Sequence, residues 1–178
     1  MAIRILTVNV KTELDVVSAR QRARQIASIC GFPNRDQVSI ATAVSELARN
    51  IYNYTGSGKI YFSIEGTTPP QVLAIRIEDN GPGIAHLDTV LSGTYHSPTG
   101  MGKGLVGAQR LMDRFDIDTG AGAGTRITLQ KIFPMEAGVI MPTDAGKLFA
   151  ELAMAANEST LDEVLQQNQE LLATLAEL

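Results

Sequence analysis

The sequence predicts an α+β fold: a two-layer α/β sandwich with a mixed, mostly antiparallel sheet, helices on one face of it, and a C-terminal helical extension. Three observations predict it. Apolar residues recur at helical spacing from Ile40 to Tyr54, alternate over residues 60–64 and again over 73–77, and return to helical spacing after Gly104. Steps of three and four mark one face of a helix, whereas a period of two marks a strand. Helices interleaved with a hairpin-built sheet bury their stripes on one sheet face. The chain has 178 residues, 44% of them hydrophobic, enough for one domain over 1–133 and an appendage over 134–178.

Residues 3–10 carry apolar groups on both faces, Ile3 and Ile5 against Leu6, Val8 and Val10, and read as a strand. Residues 14–29 read as a helix from their Ala, Gln and Arg content, with Val17, Ala23 and Ala27 as apolar positions and Gly31 and Pro33 as stops. A second helix over 35–54 aligns Ile40, Val44, Leu47, Ile51 and Tyr54 in one stripe and ends at Gly56 and Gly58. Ile60, Phe62 and Ile64, then Leu73, Ile75 and Ile77, alternate on either side of Pro69 and Pro70, which reads as an antiparallel hairpin. Residues 80–104 are rich in Gly, Pro, Ser and Thr and far exceed the usual connection of roughly 4–6 residues, so a functional loop is expected. Leu105, Ala108, Leu111, Met112 and Phe115 form a third helical stripe, and Gly120 to Gly124 lead into a strand over 125–132.

The net charge of −4 leaves no basic stripe to neutralise a phosphate backbone, so nucleic acid is not an expected partner. No run approaches the roughly 18 apolar residues of a membrane span, and the N-terminus lacks the apolar core and cleavage site of a signal peptide. The single cysteine, Cys30, sits in an apolar helical run and suits a reducing compartment. A cytoplasmic protein is expected. His86 and His96 have no partners at metal-ligand spacing, so no zinc site is expected.

Glu46 and Asn50 lie four apart and share a helix face, roughly 80–120° from the middle of the apolar stripe. A carboxylate and a carboxamide on that flank suit a base beside a hard-metal ligand, and equally suit a solvated face. Asp79 keeps the parity of Leu73, Ile75 and Ile77 and points toward the apolar layer. An inward carboxylate needs a donor, such as the amino group of adenine, and Gly81 and Gly83 would let a planar ligand approach; the alternative is an Asp that caps the turn. Thr125, in phase with Ile127 and Leu129, can add a hydroxyl to the same spot. Gly100, Gly102, Gly104 and Gly107 precede and enter the third helix, so freed backbone amides at a helix N-terminus suit an anion site, the alternative being a plain flexible loop, and Lys103 supplies a mobile charge or is solvated.

In chain order, Glu46-Leu47-x-x-Asn50, Asp79-x-Gly81-x-Gly83, Gly100-x-Gly102-x-Gly104-Leu105 and Gly124-Thr125 resemble the Bergerat-fold ATPases, a superfamily of gyrase, heat-shock chaperones, mismatch-repair proteins and histidine kinases. The resemblance covers residues 1–133 and implies bound ATP and Mg²⁺. It implies that Asn50 binds the Mg²⁺ that bridges the phosphates, that Asp79 takes the adenine amino group, that Gly81 and Gly83 line the base pocket, and that 93–107 is the ATP lid. Residues 43–52, Ala-Val-Ser-Glu-Leu-Ala-Arg-Asn-Ile-Tyr, with Gly107 and Arg110 to Asp113, are further similar to the small anti-sigma-factor serine kinases, particularly the stressosome switch kinases. That branch implies Glu46 as the group that orients or deprotonates a serine hydroxyl. The substrate it implies is a regulatory partner, such as an antagonist domain of the sulfate-transporter-and-anti-sigma-antagonist (STAS) type. Arg49, opposite the stripe, suits a partner contact or solvent.

Beyond Pro134 the chain departs from that pattern. A short Ala-rich helix is expected over 145–157, and Thr160 to Glu163 reads as a capping box that opens another. Leu161, Val164, Asn168, Leu171, Leu175 and Leu178 step by three and four, with Leu161, Asn168 and Leu175 at a positions, which predicts a parallel two-stranded coiled coil and a homodimer through 160–178. An amphipathic helix packed on its own domain is the competing reading. The seam reaches Leu178 without a C-cap, so the chain is expected to continue. Two functions follow: a serine/threonine kinase acting on a regulatory partner, favoured by Glu46 and Asn50, or a non-catalytic nucleotide-binding module at the N-terminus of a larger sensor histidine kinase, favoured by the tail.

Overall fold

Alternation along the strands decides which sheet face is covered. In the computed structural model, which describes residues 2–84, 101–120, 122 and 124–177, the strands are β1 (Ala2–Val10), β2 (Gly58–Glu65), β3 (Val72–Asp79), β4 (Arg114–Thr119) and β5 (Thr125–Ile132). The helices are α1 (Glu13–Ile29), α2 (Asn34–Tyr54), α3 (Met101–Leu111) and α4 (Ala145–Ala176). Ile60, Phe62, Ile64, Leu73, Ile75, Ile77, Ile127 and Leu129 are buried in one cluster with residues of the first three helices. The opposite face is polar: Arg76 and Arg126 both reach Glu78, at 2.8 and 2.9 Å, and Arg76 lies over the Tyr61 ring at 4.5 Å. Two layers with helices on one face follow from that asymmetry.

Among the described residues the five strands run in the order β1-β2-β3-β5-β4, and every pair is antiparallel. The expected mixed sheet is therefore corrected, and β4 is the reason. Phe115 belongs to this strand and not to the third helix, which ends at Leu111. The β3–α3–β4 passage is a crossover between parallel but non-adjacent strands, and β5 turns back to pair between them.

Helix α1 starts in a capping box: Thr12 Oγ1 accepts from the Asp15 amide at 3.2 Å and the Asp15 carboxylate accepts from the Thr12 amide at 3.0 Å. Its buried face is Val16, Ala19, Ala23, Ile26 and Ala27, which includes the expected Ala23 and Ala27 but has Val16 in place of the expected Val17, which is 45% exposed. Helix α2 buries Ile40, Val44, Leu47, Ala48 and Ile51, the expected stripe widened by small residues that let α1 approach.

The tail is tied to the body. Phe133 packs edge-on against Phe32, with ring centroids 5.2 Å apart. The fully buried Gln71 side chain donates to the Ile140 carbonyl at 2.7 Å and accepts from its amide at 2.8 Å. Where the sequence suggested two helices, α4 is a single helix of 32 residues that passes through Thr160 without a break. No Pro or Gly lies between Lys147 and Leu178, so nothing stops propagation once the helix is nucleated. Its first half docks: Leu148 and Leu152 are buried, and Arg22 and Gln25 donate to the Leu152 and Ala155 carbonyls, each at 3.2 Å. Among the described residues, no helix is long and apolar enough to cross a membrane.

Candidate functional site

Helix α2 brings Glu46 and Asn50 to the edge of the core. Both are half-buried, because the stripe through Leu47 and Ile51 anchors the helix one step to the side. They converge on Gly104 of α3: a Cβ there would lie 3.3 Å from Glu46 Oε2 and 3.5 Å from Asn50 Nδ2. Glycine within a helix costs roughly 1 kcal/mol relative to alanine, and this close approach of α3 to two polar side chains is a physical reason to keep it. Arg49 is 57% exposed and only 4.0 Å from Glu46, an ion pair of little energetic weight.

Asp79 ends β3 on the buried side. Desolvation pushes its carboxyl pKa up, and backbone amides of Gly81 and Thr125 that donate to it pull the other way; the Gly81 bond is 2.9 Å. Neither of the two readings left open for Asp79 in the sequence stands alone, since the carboxylate caps its own turn and also lines a cavity of about 160 Å³. Asn50, Gly83, Leu105 and Thr125 line the same cavity, and so do the apolar side chains of Leu47, Ile51 and Ile77. Residues from four separate segments thus meet in one pocket with an apolar body and few polar points, the usual anatomy of a small-molecule site.

Two glycines hold the backbone of this pocket in conformations that side chains resist. Gly83 has φ +79°, and a Cβ on it would run into the Gly120 carbonyl oxygen. Gly124 has φ +76°, and a Cβ on it would run into the Asp79 carbonyl oxygen. Gly124→Ala is expected to lower stability by about 1–3 kcal/mol, from strain plus displacement of the Asp79 backbone, measurable by urea unfolding. A stability equal to that of the parent would show that the two backbones part without cost. A Cβ on Gly81 would run into the Thr55 side chain.

The glycine-rich run differs from expectation in form. Gly102, Lys103 and Gly104 lie within the first turn of α3, which begins at Met101, so the run is partly the helix itself and not only its lead-in. Gly100, His86, His96 and residues 93–100 of the expected lid lie outside the described residues. The sequence reading missed Thr119. It ends β4 opposite Thr125, and its hydroxyl is 3.0 Å from that of Thr125 and 2.9 Å from the Ile84 amide. The alternation of Phe115 and Ile117 with Asp116 and Asp118 was the signal that could have revealed it. Among the described residues, no group of three or more His, Cys, Asp or Glu side chains could hold a metal on its own.

Residues 35–135 match the family of histidine kinase-, DNA gyrase B- and HSP90-like ATPases. The serine/threonine-protein kinase RsbT of Bacillus subtilis is 44% identical over 120 residues, covering 67% of this chain and 90% of that protein. An anti-sigma F factor of Clostridium kluyveri is 30% identical over 107 residues, covering 57% of this chain and 75% of its own length. A crystal structure of RsbU and RsbW domains from Mycobacterium tuberculosis superposes with a TM-score of 0.53 at 18% identity, over 79% of this chain and 35% of that one, and shows a shared fold. The matched segment takes in Glu46, Asn50, the Asp79 cavity, α3 and Thr125, and on it this chain belongs to the histidine kinase-, DNA gyrase B- and HSP90-like ATPase family.

Proposed function

We propose that this chain is an ATP-dependent protein serine/threonine kinase that phosphorylates a regulatory protein in a bacterial partner-switching pathway. The observation that carries the reading is the convergence of Glu46 and Asn50 on Gly104, beside the cavity that Asp79 lines. A carboxylate at that point does not help to hold a polyphosphate, since like charges repel. It suits a base that takes the proton from an attacking hydroxyl. The likeness to RsbT over 90% of that kinase supports the same conclusion.

In this reading the adenine enters the apolar cavity and its amino group donates to Asp79, with Gly81 and Gly83 beneath the base and Thr125 beside it. The first turn of α3, with Gly102, Lys103, Gly104 and Leu105, faces the phosphates, where amide groups and the positive end of the helix favour anions. Asn50 fits Mg²⁺: it is a hard oxygen donor on the cavity wall, and Mg²⁺ commonly takes few protein ligands and completes its shell with phosphates and water. When bound, that ion neutralises charge on the transferred group. The substrate is then a serine or threonine on a STAS-type antagonist domain, and Arg49, exposed beside Glu46, is open to contact with such a partner. Incubation with γ-labelled ATP, Mg²⁺ and a panel of antagonist domains is expected to label serine or threonine on at least one. ATP binding without transfer to any of them would leave the non-catalytic module instead.

The outer half of α4 belongs to this reading as a dimer surface. Leu165, Leu171, Leu172 and Leu175 are 59–67% exposed. In the heptad set by Leu161, Asn168 and Leu175, Glu170 and Glu177 fall at c positions, away from the seam, and residues 160–178 contain no Lys or Arg. A second copy in parallel register would bury the leucines without bringing like charges across the seam. Sedimentation of the full chain and of one ending at Ser159 is expected to give a dimer and a monomer. Two monomers would remove the proposal.

A further inference from the structure

Thr119 belongs to none of the Glu-x-x-x-Asn, Asp-x-Gly-x-Gly, glycine-run or Gly-Thr motifs, yet it ties three cavity segments together. Its hydroxyl accepts from the Ile84 amide at 2.9 Å, lies 3.2 Å from the Gly124 carbonyl and 3.0 Å from Thr125 Oγ1. Ile84 and Thr125 both line the cavity, and a Cβ on Gly83 would lie 3.2 Å from Thr119 Oγ1. Thr119 therefore backs directly onto the wall formed by residues 82–84, whose Pro82 carbonyl also accepts from the Gly122 amide at 2.9 Å.

Proton counting gives this cluster two arrangements. A hydroxyl has one proton and two lone pairs. If Thr119 donates to the Gly124 carbonyl, Thr125 must donate to Thr119, and Thr125 then offers only lone pairs to the cavity. If Thr119 donates to Thr125, the proton of Thr125 is free to turn inward. Adenine presents a donor, its amino group, next to an acceptor, a ring nitrogen. With Asp79 taking the amino group, the neighbouring ring nitrogen needs a donor from Thr125, so adenine selects the second arrangement. A purine with a carbonyl in place of the amino group would set its oxygen against the Asp79 carboxylate.

We propose that Thr119 is a positioning residue for adenine: its hydroxyl donates to Thr125, turns the Thr125 proton toward the purine ring nitrogen, and pins the Ile84 segment against the base. The inference rests on the reading of Asp79 as the adenine acceptor. Thr119 acts through Thr125 and Ile84 and does not touch the ligand.

The test compares ATP with its 1-deaza analogue, which keeps the amino group and replaces the ring nitrogen by C–H, by calorimetry on the full chain. The parent protein is expected to bind the analogue about 10-fold more weakly than ATP. Thr119→Val is expected to weaken ATP binding by about 10-fold and to bring the two ligands close to equal affinity, because the Thr125 hydroxyl is no longer held and the Ile84 amide loses its acceptor. Thr119→Ser, which restores the hydroxyl, is expected to restore the preference. Equal binding of both ligands by the parent protein would overturn the proposal without any variant, and so would an unchanged preference in a folded Thr119→Val. Asp79→Ala separates the two levels. Full ATP affinity in that variant would remove the reading of Asp79, whereas its loss alongside an unchanged preference in Thr119→Val would remove only the role of Thr119.

Discussion

Asp79→Asn is expected to weaken ATP binding by about 10–100-fold, since a buried hydrogen bond to a charged group contributes about 1.5–3 kcal/mol. The reason is a count of donors. The Asp79 carboxylate already accepts from the amides of Gly81 and Thr125, and the adenine amino group would be a third. An asparagine keeps one oxygen and turns an NH₂ group toward donors, so at least one of the three loses its acceptor. The same change has the opposite effect on the empty protein. Burial raises the Asp79 pKa in the folded state above its ordinary value of 3.8, so the folded state holds the proton more tightly than the unfolded state. The stability that this proton confers is fully present below the unfolded pKa and is lost as pH rises through the folded pKa. At neutral pH the ionised carboxylate is thus a cost to the unliganded fold. Thermal melts are expected to show Asp79→Asn at least as stable as the parent at pH 7, with less dependence on pH in the acid range, and without the upward shift that ATP gives the parent. An ATP-induced shift of the parental size would remove Asp79 from the binding site.

Glu46→Gln is expected to leave ATP affinity within about twofold and to slow phosphoryl transfer to the partner by about 10²–10⁴-fold, the usual contribution of a general base. Glutamine keeps the shape that packs against Gly104 and removes only the capacity to take a proton. The two variants therefore separate binding from chemistry. Asp79→Asn acts on affinity, and Glu46→Gln acts on turnover at saturating ATP. Equal turnover in Glu46→Gln and the parent would leave Glu46 no part in the transfer. A matching fall in affinity would instead make it a structural support for α3.

The legible parts of the site were those governed by local rules. The parity of Asp79 with Ile77 follows from the period of a strand, and the shared face of Glu46 and Asn50 follows from the pitch of a helix, so neither required a third dimension. Gly104 was legible as part of a motif but not for its reason, because the crowding by Glu46 and Asn50 exists only once α3 lies against α2. At the start of α1 Val17 was read as inward where Val16 is, since the two are alike in chemistry and only the docked partner distinguishes them, while Ala23 and Ala27 face inward as expected. Strand β4 was lost because Phe115 completes a helical stripe and also begins an alternation, and six residues are too few for either period to dominate. Thr119 was lost with it.

Local periodicity alone thus determined the α+β class, the hairpin and the helix that carries Glu46 and Asn50, while the order of the glycine, Asp and Asn motifs carried the resemblance to the family. Tertiary structure alone decided that β5 returns between β3 and β4, that Thr119 stands opposite Thr125, and that α4 runs unbroken with its first half on α1. The difference is physical. A period is a property of neighbours along the chain, whereas a hydroxyl pair at 3.0 Å joins residues whose separate strands must first find their register.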